Sequence, residues 1–502
     1  MKLLVIVMTA ALCQQAASFV SAAGRPDAAA RQNPSAAAAD ASAQTPSLEG
    51  IWQGTLDAGG AKLRMVLKVT KKPDGSLSAT LDSPDQGAAG IPLDSVTLTG
   101  AAVRFELKAA GGVYEGTINK EGTNIDGRWS QGPGSFPLVL SRVERAPTGP
   151  ARPQTPKGPF PYDSEEVSYE NKLAGVRLAG TLTLPRAKGP HPAVLLISGS
   201  GQQDRDETVF GHKPFLVLAD YLTRRGVAVL RVDDRGVGGS SAGPGLNKAT
   251  SEDFAGDVVS GVEYLKSRKE IDPKKIGLVG HSEGGMIAPM VASKSADVAF
   301  IVLMAGPGVG AEEGFAAQVS ALARANGAGD EAVAWRLRLL REVFAVMKEE
   351  RDDAAAVEKV HGRRAKLLAG LSADERKRMG LAEDEMEGVV RVMLTPWFRF
   401  FTAYDPRATL RKVRVPVLAV AGERDLQVVP AKEHLAAVAE ALKAGGNRDY
   451  TVKELPKLNH LLQTSETGSP AEYGRIEETI SPAALELIGD WIIRHAGVST
   501  GK

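Results

Sequence analysis

Hydrophobic and polar residues alternate in short stretches over residues 48–145, as in Leu63–Val69 and Val103–Leu107. Turns rich in glycine and aspartate separate these stretches. Alternation with a period of two places successive side chains on opposite faces of a strand. The pattern therefore predicts a small antiparallel β domain, a barrel or a sandwich. No catalytic constellation accompanies it, so we favour a structural role over ligand or glycan binding.

From residue 164 to 498 the pattern changes to apolar runs separated by amphipathic segments. Most runs are continuously apolar, as in parallel strands that are buried on both faces. Helical segments such as 215–225, 252–267 and 431–443 lie between them. The order predicts a doubly wound α/β sheet with crossover helices. The predicted strands are Val176–Leu184, Ala193–Ile197, Val227–Val232, Ile276–Val279, Phe300–Met304, Val415–Ala421 and Tyr450–Leu455.

One long interval, about 307–410, contains no convincing strand pattern. Its segment Glu331–Arg351 is charged and amphipathic, which indicates a helix. An all-helical insertion between two strands of a parallel sheet predicts a cap over the carboxyl edge of that sheet.

The N-terminal residues have the pattern of a targeting segment. Lys2 precedes an apolar run that ends near Cys13, and small residues follow. We expect a cleaved signal peptide over residues 1–22 and export to the periplasm or the medium. The apolar run is shorter than the roughly 20 residues that span a bilayer, so we expect no membrane span in the mature chain. Ala-rich residues 23–47 predict a flexible spacer, and Pro-rich residues 146–163 an interdomain linker.

Composition narrows the possible partners. The 502 residues carry a net charge of +1, which provides no field of one sign for a nucleic acid. Cys13 is the single cysteine, so the mature chain would have no disulfide, no cysteine-based zinc site and no thiol nucleophile. Nothing in the composition sets an oligomeric state.

A candidate nucleophile lies at residues 280–284, which read Gly-His-Ser-Glu-Gly. The predicted strand Ile276–Val279 precedes this motif, and a predicted helix follows it. A sharp turn between strand and helix holds its serine with the hydroxyl exposed, and the flanking positions must be small. Ser282 is therefore the candidate nucleophile.

A serine hydroxyl needs a base to take its proton, and in this arrangement the acid and then the histidine follow the serine in the chain. His460 lies in a loop after the last predicted strand and is favoured over His434, within a helix, and His495, at the end of one. For the acid that orients the base, Asp425 is favoured over Glu423 in the loop after Val415–Ala421.

The oxyanion that forms during acyl transfer needs aligned hydrogen-bond donors. The backbone N–H of Glu283 is one candidate, and Ser200 or Gly201, in the loop after Ala193–Ile197, supplies the other. A second loop, Asp233–Ser240, is charged and follows a strand, and we expect it to lock loops near the site.

An aromatic cluster near the end of the helical insertion has two interpretations. Trp397, Phe398 and Phe401 are close together in a chain in which aromatic residues make up 5%. They are candidates for an apolar pocket that binds the acyl or alcohol group, or for the packed core of the cap.

Together these motifs resemble bacterial esterases of the α/β-hydrolase fold, related to the prolyl oligopeptidase and dienelactone hydrolase branches. The resemblance covers about residues 165–493 and implies carboxylesterase activity on short acyl esters, with a triad of Ser282, Asp425 and His460. At Gln202 the family usually has proline, so the resemblance does not fix the oxyanion donor of that loop. The motifs are Ser198–Asp206, Asp-Asp-Arg-Gly at 233–236, Gly-His-Ser-Glu-Gly-Gly at 280–285, Pro-Trp-Phe-Arg-Phe-Phe at 396–401 and Leu-Asn-His at 458–460.

The sequence thus predicts a serine hydrolase that cleaves small carboxylic esters through an acyl-enzyme on Ser282 and needs no cofactor or metal. One alternative is a serine peptidase of the prolyl oligopeptidase type, although the N-terminal domain is too short for the β-propeller of those enzymes. The other is a binding protein that kept the fold without catalysis, and the presence of all three triad candidates argues against it.

Overall fold

The computed structural model describes residues 46–58, 61–86, 88–108, 111–131, 134–146, 149–379, 381 and 392–498. The predicted signal peptide, residues 1–22, lies outside the described residues, as does the predicted spacer up to residue 45. Contacts divide the chain into two compact units, with the boundary between Gly149 and Pro150.

The first unit is a nine-stranded antiparallel sheet in the order β4-β3-β2-β1-β9-β8-β7-β6-β5, as the alternating pattern predicts. Its interior is filled by large apolar side chains such as Trp52 and Phe105. The buried hydroxyl of Tyr114 lies 3.0 Å from the carbonyl oxygen of Ile125, so this polar group is satisfied. The strands are β1 Gly50–Ala58, β2 Ala61–Lys71, β3 Leu77–Ser83, β4 Ala88–Pro92, β5 Ser95–Thr99, β6 Ala102–Leu107, β7 Gly112–Ile118, β8 Asn124–Gln131 and β9 Gly134–Val143.

The second unit contains an eight-stranded sheet in the order β10-β11-β13-β12-β14-β15-β16-β17. Its first two pairings, β10 with β11 and β11 with β13, are antiparallel, and the others are parallel. The strands are β10 Tyr162–Asn171, β11 Val176–Pro185, β12 His191–Ile197, β13 Ala228–Val232, β14 Ile271–His281, β15 Phe300–Met304, β16 Val417–Gly422 and β17 Tyr450–Leu455.

Helices cover both faces of this sheet, and strand β12 shows why. Its side chains alternate between two apolar clusters: Leu195 belongs to one, whereas Val194 and Leu196 belong to the other. Each such burial is worth about 1.5–3 kcal/mol, so a strand that is apolar throughout is stable only between two helical layers. The flanking helices are α1 Pro214–Thr223, α2 Ser251–Ser267, α3 Glu283–Ala292, α10 Ala431–Ala444 and α11 Pro482–His495.

Between β15 and β16 the secondary-structure elements of the described residues are helices, at the place where the sequence predicts a cap. These helices have an apolar core of their own, which includes Trp335, Phe344 and Phe398. No helix in the described part of the chain is both long and apolar enough to cross a bilayer. The helices are α4 Ala311–Ala325, α5 Asp330–Glu349, α6 Asp353–Ala369, α7 Ala373–Arg378, α8 Pro396–Ala403 and α9 Pro406–Leu410. Short 3₁₀ helices occupy Pro84–Gln86, Leu246–Lys248 and Pro470–Glu472.

The segment 146–163, predicted as a linker, differs from that expectation in its second half. The guanidinium of Arg152 donates hydrogen bonds to the carbonyl oxygens of Phe210 and Gly474, at 2.7 and 2.9 Å. Strand β10, which the sequence did not predict, already begins at Tyr162. Residues from about 150 onward therefore belong to the second unit, because their polar groups are bonded into it.

Candidate active site

Ser282 is the single residue between a strand and a helix. Strand β14 ends at His281, and helix α3 begins at Glu283. Ser282 has φ 52° and ψ −115°, a strained conformation for a residue with a side chain, and its N–H donates to the carbonyl oxygen of Met304 at 2.8 Å. The side chain is half-buried. This is the geometry that the Gly-His-Ser-Glu-Gly motif predicts.

The flanking glycines are required by contacts across this turn. A Cβ at Gly280 would lie 2.0 Å from the carbonyl oxygen of Gly284. A Cβ at Gly284 would lie 2.2 Å from the carbonyl oxygen of Ile197, at the end of β12. Any larger residue at either position would force the backbone apart and move Ser282.

His460 and Asp425 lie together in the loops that follow β17 and β16. Nδ1 of His460 lies 2.8 Å from Oδ2 of Asp425, and these residues are only 4% and 1% exposed. The other carboxylate oxygen of Asp425 accepts the backbone N–H groups of Gln427 and Val428, at 2.8 and 2.9 Å. Asp425 is thus fixed on both sides, and it holds the imidazole of His460.

The competing residues lie elsewhere. Glu423 accepts the backbone N–H of Lys457 at 2.9 Å rather than contacting His460. His434 is buried, and its Nδ1 accepts the N–H of Gly308 at 2.9 Å. The ring of His495 stacks on Trp491 in the last helix.

The loop after β12 packs directly against the nucleophile. A Cβ at Gly199 would lie 3.2 Å from Cβ of Ser282. Two residues later, Gly201 is exposed and has φ +94°, which favours glycine. Gln202, the departure from the family pattern, donates from its amide to the carbonyl oxygen of Arg235 at 3.0 Å.

Glu283 connects the nucleophile turn to the helical insertion. Its N–H is in the first turn of α3, where backbone donors have no partner within the helix. Its carboxyl group is 3% exposed, and one oxygen accepts both the hydroxyl of Ser251, at 2.6 Å, and the indole N–H of Trp397, at 2.8 Å. Burial raises the pKa of Glu283, whereas hydrogen bonds from these two groups and from Ser200 lower it.

The three aromatic candidates therefore have different positions. Trp397 reaches Glu283, beside the nucleophile. Phe401 is half-buried, with its ring centroid 5.5 Å from that of Trp397. Phe398 is 2% exposed inside the core of the insertion, so its ring offers no surface to a substrate, and we correct its assignment to the pocket.

The charged turn after β13 holds the loop after β12, as expected. The carboxyl group of Asp234 accepts the hydroxyl of Ser198 and the N–H of Gln203, both at 2.8 Å. Asp233 accepts the N–H of Arg205 at 2.9 Å and forms a salt bridge with its guanidinium at 2.7 Å. Burial raises the pKa of Asp234 to about 8, and it outweighs the hydrogen bonds from Gln203 and Ser198, which lower it.

A family model for the alpha/beta hydrolase family matches residues 194–473, more than half of the chain. The chain belongs to the alpha/beta hydrolase family.

Individual proteins similar to this alpha/beta hydrolase include the esterase EstD of Thermotoga maritima. It is 27% identical over 333 residues, which cover 65% of this chain and 68% of EstD. The alpha/beta hydrolase GrgF of a Penicillium species has 18% identity and a TM-score of 0.41 over 67% of this chain and 100% of its own. An esterase of Pyrococcus furiosus has 15% identity and a TM-score of 0.40, over 71% and 100%. Both TM-scores are below 0.5, so these two structures add no support beyond the family match.

Two acidic side chains at the site of this hydrolase are not predicted from the sequence. For Glu283 the sequence predicts a role of the backbone N–H only. Glu207, which is 5% exposed and bonded to His281, is not predicted to belong to the site. A charged residue adjacent to a nucleophile was the available signal for Glu283. Among the described residues, no group of three or more histidine, cysteine, aspartate and glutamate side chains is arranged to hold a metal ion.

Proposed function

We propose that this hydrolase is a serine esterase that cleaves small carboxylic esters through an acyl-enzyme on Ser282. The observation that carries the proposal is the buried pair of Asp425 and His460, whose loop contacts His281 directly before the strained turn of Ser282. A catalytic base that is oriented by a carboxylate, next to an exposed serine, is the arrangement that acyl transfer requires.

In the proposed reaction, Ser282 attacks the carbonyl carbon of the ester while Nε2 of His460 accepts the hydroxyl proton. Nε2 is the free acceptor because Nδ1–H faces Asp425 at 2.8 Å, and this carboxylate stabilises the imidazolium that forms. The alcohol then leaves with the proton from Nε2. A water molecule, deprotonated by His460, attacks the acyl-enzyme and releases the acid.

Two donors are proposed for the oxyanion. The N–H of Glu283 points out of the first turn of α3, where the helix dipole also favours negative charge. The second donor comes from Ser200 or Gly201, in the loop that packs against Cβ of Ser282 through Gly199. The exposed backbone of Gly201 supports the approach of a substrate to this loop.

The proposed substrates are esters with short acyl groups. The similarity to EstD, which is named an esterase, supports the ester class. Trp397 and Phe401 are proposed to contact the acyl or alcohol group, since both rings are half-buried, Trp397 is bonded to Glu283 in the nucleophile turn, and Phe401 lies against Trp397.

Substitution of the nucleophile tests the proposal. Ser282→Ala is expected to reduce hydrolysis of p-nitrophenyl acetate and butyrate by at least about 10³-fold. His495→Gln, on the last helix, is the control and is expected to leave the activity unchanged. Retention of hydrolysis by a folded Ser282→Ala protein would exclude Ser282 as nucleophile, whereas cleavage of aminoacyl-prolyl amides in preference to esters would indicate a peptidase.

A further inference from the structure

Behind the nucleophile, a second histidine is bonded at both ring nitrogens. Nδ1 of His281 lies 2.9 Å from Oε1 of Glu207, and Nε2 lies 3.1 Å from the backbone carbonyl oxygen of His460. The centroids of the two histidine rings are 4.9 Å apart. His281 and Glu207 are 6% and 5% exposed, so water does not compete for these bonds.

These partners fix the number of protons on the His281 ring. A carbonyl oxygen can only accept a hydrogen bond, so Nε2 must donate to His460. Oε1 of Glu207 also accepts the N–H of Gly199, at 2.6 Å, as an ionised carboxylate does. With Glu207 ionised, Nδ1 must donate as well, and both bonds of the ring are made only when His281 is an imidazolium. Burial alone would lower the pKa of His281, but the Glu207 carboxylate and the His460 carbonyl raise it above the ordinary value.

The pair joins three segments that the proposed reaction needs. Gly199 belongs to the loop of the oxyanion donors, His281 directly precedes the nucleophile, and the His460 carbonyl belongs to the loop that carries the base. Glu207 itself has φ 51°, an unfavourable conformation for a residue with a side chain. Such strain persists where the surrounding contacts hold it, and clusters at functional sites.

We propose that the ion pair of Glu207 and His281 is a positioning device, which fixes the base loop of His460 and the oxyanion loop at Gly199 relative to Ser282. The inference rests on the proposed function, because it assigns a task to residues that hold its catalytic groups. His281 is a positioning residue: its ring nitrogens are occupied by protein acceptors, and it acts through the backbone of His460.

A consequence for pH dependence follows from the proton count. The titratable groups around His281 are Glu207 in the loop after β12, Asp425 in the loop after β16 and His460 in the loop after β17. When the pH rises through the pKa of His281, one ring nitrogen loses its proton and one of the two bonds is lost. We therefore expect the loop of His460 to be less firmly positioned, and the activity to fall, above the pKa of His281.

Glu207→Gln tests whether Glu207 acts on His281 through its negative charge or only through side-chain packing. The glutamine oxygen can still accept from Gly199 and from Nδ1 of His281, but the negative charge that stabilises the imidazolium is gone. The alkaline limb of kcat/KM is therefore expected to move to lower pH, with near-normal activity at the acid end of the range. A merely structural role would lower activity equally at every pH, and an unshifted profile would overturn the proposal.

His281→Gln tests the link to catalysis. A glutamine amide donates from a single nitrogen and keeps at most one of the two bonds. We expect kcat for p-nitrophenyl acetate to fall about 10²-fold with little change in KM, as for a small misplacement of catalytic groups. His495→Gln, which also removes one titratable ring, is expected to retain wild-type kcat. Wild-type kcat in a folded His281→Gln protein would contradict the proposal.

A measurement that needs no activity separates this inference from the proposed function. Nitrogen-15 NMR of the histidine rings, with the His281 signals assigned from their change in Glu207→Gln, reports whether His281 remains doubly protonated above the ordinary histidine pKa of about 6.5. We expect the His281 ring to be doubly protonated in the wild type. In Glu207→Gln we expect the ring to lose its second proton at a lower pH than in the wild type. A His281 that is neutral at pH 7 in the wild type would refute the ion pair even if Ser282 is the nucleophile, and if His281→Gln fails to fold, this result still decides.

Discussion

Replacement of Asp425 by asparagine tests how the carboxylate controls the base. Oδ1 of Asp425 accepts the N–H groups of Gln427 and Val428, so the amide oxygen of an asparagine would stay on that side. Its NH₂ group would then face Nδ1 of His460, which now lies 2.8 Å from Oδ2. Nδ1 would have to accept, and the ring proton would move to Nε2, which could no longer take a proton from Ser282.

The size of the effect follows from the cost of the opposite amide orientation. Rotating the asparagine amide would restore the His460 tautomer with its proton on Nδ1, but it would leave the N–H groups of Gln427 and Val428 facing NH₂. The N–H of Val428 is buried and that of Gln427 partly buried, and such donors without acceptors cost about 1–3 kcal/mol each, or about 2–6 kcal/mol together. At 1.36 kcal/mol per tenfold change, Asp425→Asn should lower kcat by about 30-fold to about 10⁴-fold.

The assay is kcat for p-nitrophenyl acetate, with thermal unfolding to verify the fold. Glu423→Gln is the matched control, since Glu423 is in the same loop but bonds Lys457 instead of His460. We expect the control to keep wild-type kcat. A kcat of Asp425→Asn within about threefold of the wild type, or an equal loss in the control, would refute the reasoning.

Three further substitutions address the surroundings of the site. Because the carboxyl group of Asp234 keeps its proton up to a pKa of about 8, against 3.8 ordinarily, folded stability falls as pH rises across that window. Asp234→Asn should flatten this fall in the free energy of unfolding by urea between pH 5 and 9, and equal slopes would contradict it. Gly284→Ala places a Cβ 2.2 Å from the carbonyl oxygen of Ile197 and should destabilise the protein by about 1–3 kcal/mol in thermal unfolding, with loss of kcat. Trp397→Phe removes a hydrogen bond to the buried carboxyl group of Glu283, worth about 1.5–3 kcal/mol, and should raise KM for p-nitrophenyl butyrate more than it changes kcat.

Features that depend on local sequence could be predicted. The turn around Ser282 needs only a strand, two small residues and a helix, which are consecutive in the chain. Asp425 and His460 were favoured because loops after parallel strands meet at one edge of the sheet, and the structure brings the two side chains together there. Their catalytic roles stay predictions until the variants are measured.

Features that depend on contacts between distant segments could not be predicted. Strand β10 was missed because its side chains, in the run Asp163–Glu166, are largely polar, as suits a strand at the edge of a sheet. Trp397 and Phe398 are adjacent in the chain and project from different faces of α8, yet only the folded insertion decides which ring approaches Glu283. The hydrogen bond between Glu207 and His281 likewise joins residues 74 positions apart.

The nucleophile is tested most directly by covalent labelling. A fluorophosphonate reacts with a serine that a base activates, and trypsin then releases the peptide of residues 276–294, which contains both Ser282 and Ser293. Fragment masses distinguish the two serines. We expect a stoichiometric adduct on Ser282 that is absent from Ser282→Ala. No adduct on Ser282 in the folded wild-type protein, or equal labelling of the Ser282→Ala variant, would contradict the assignment of this protein as a serine esterase.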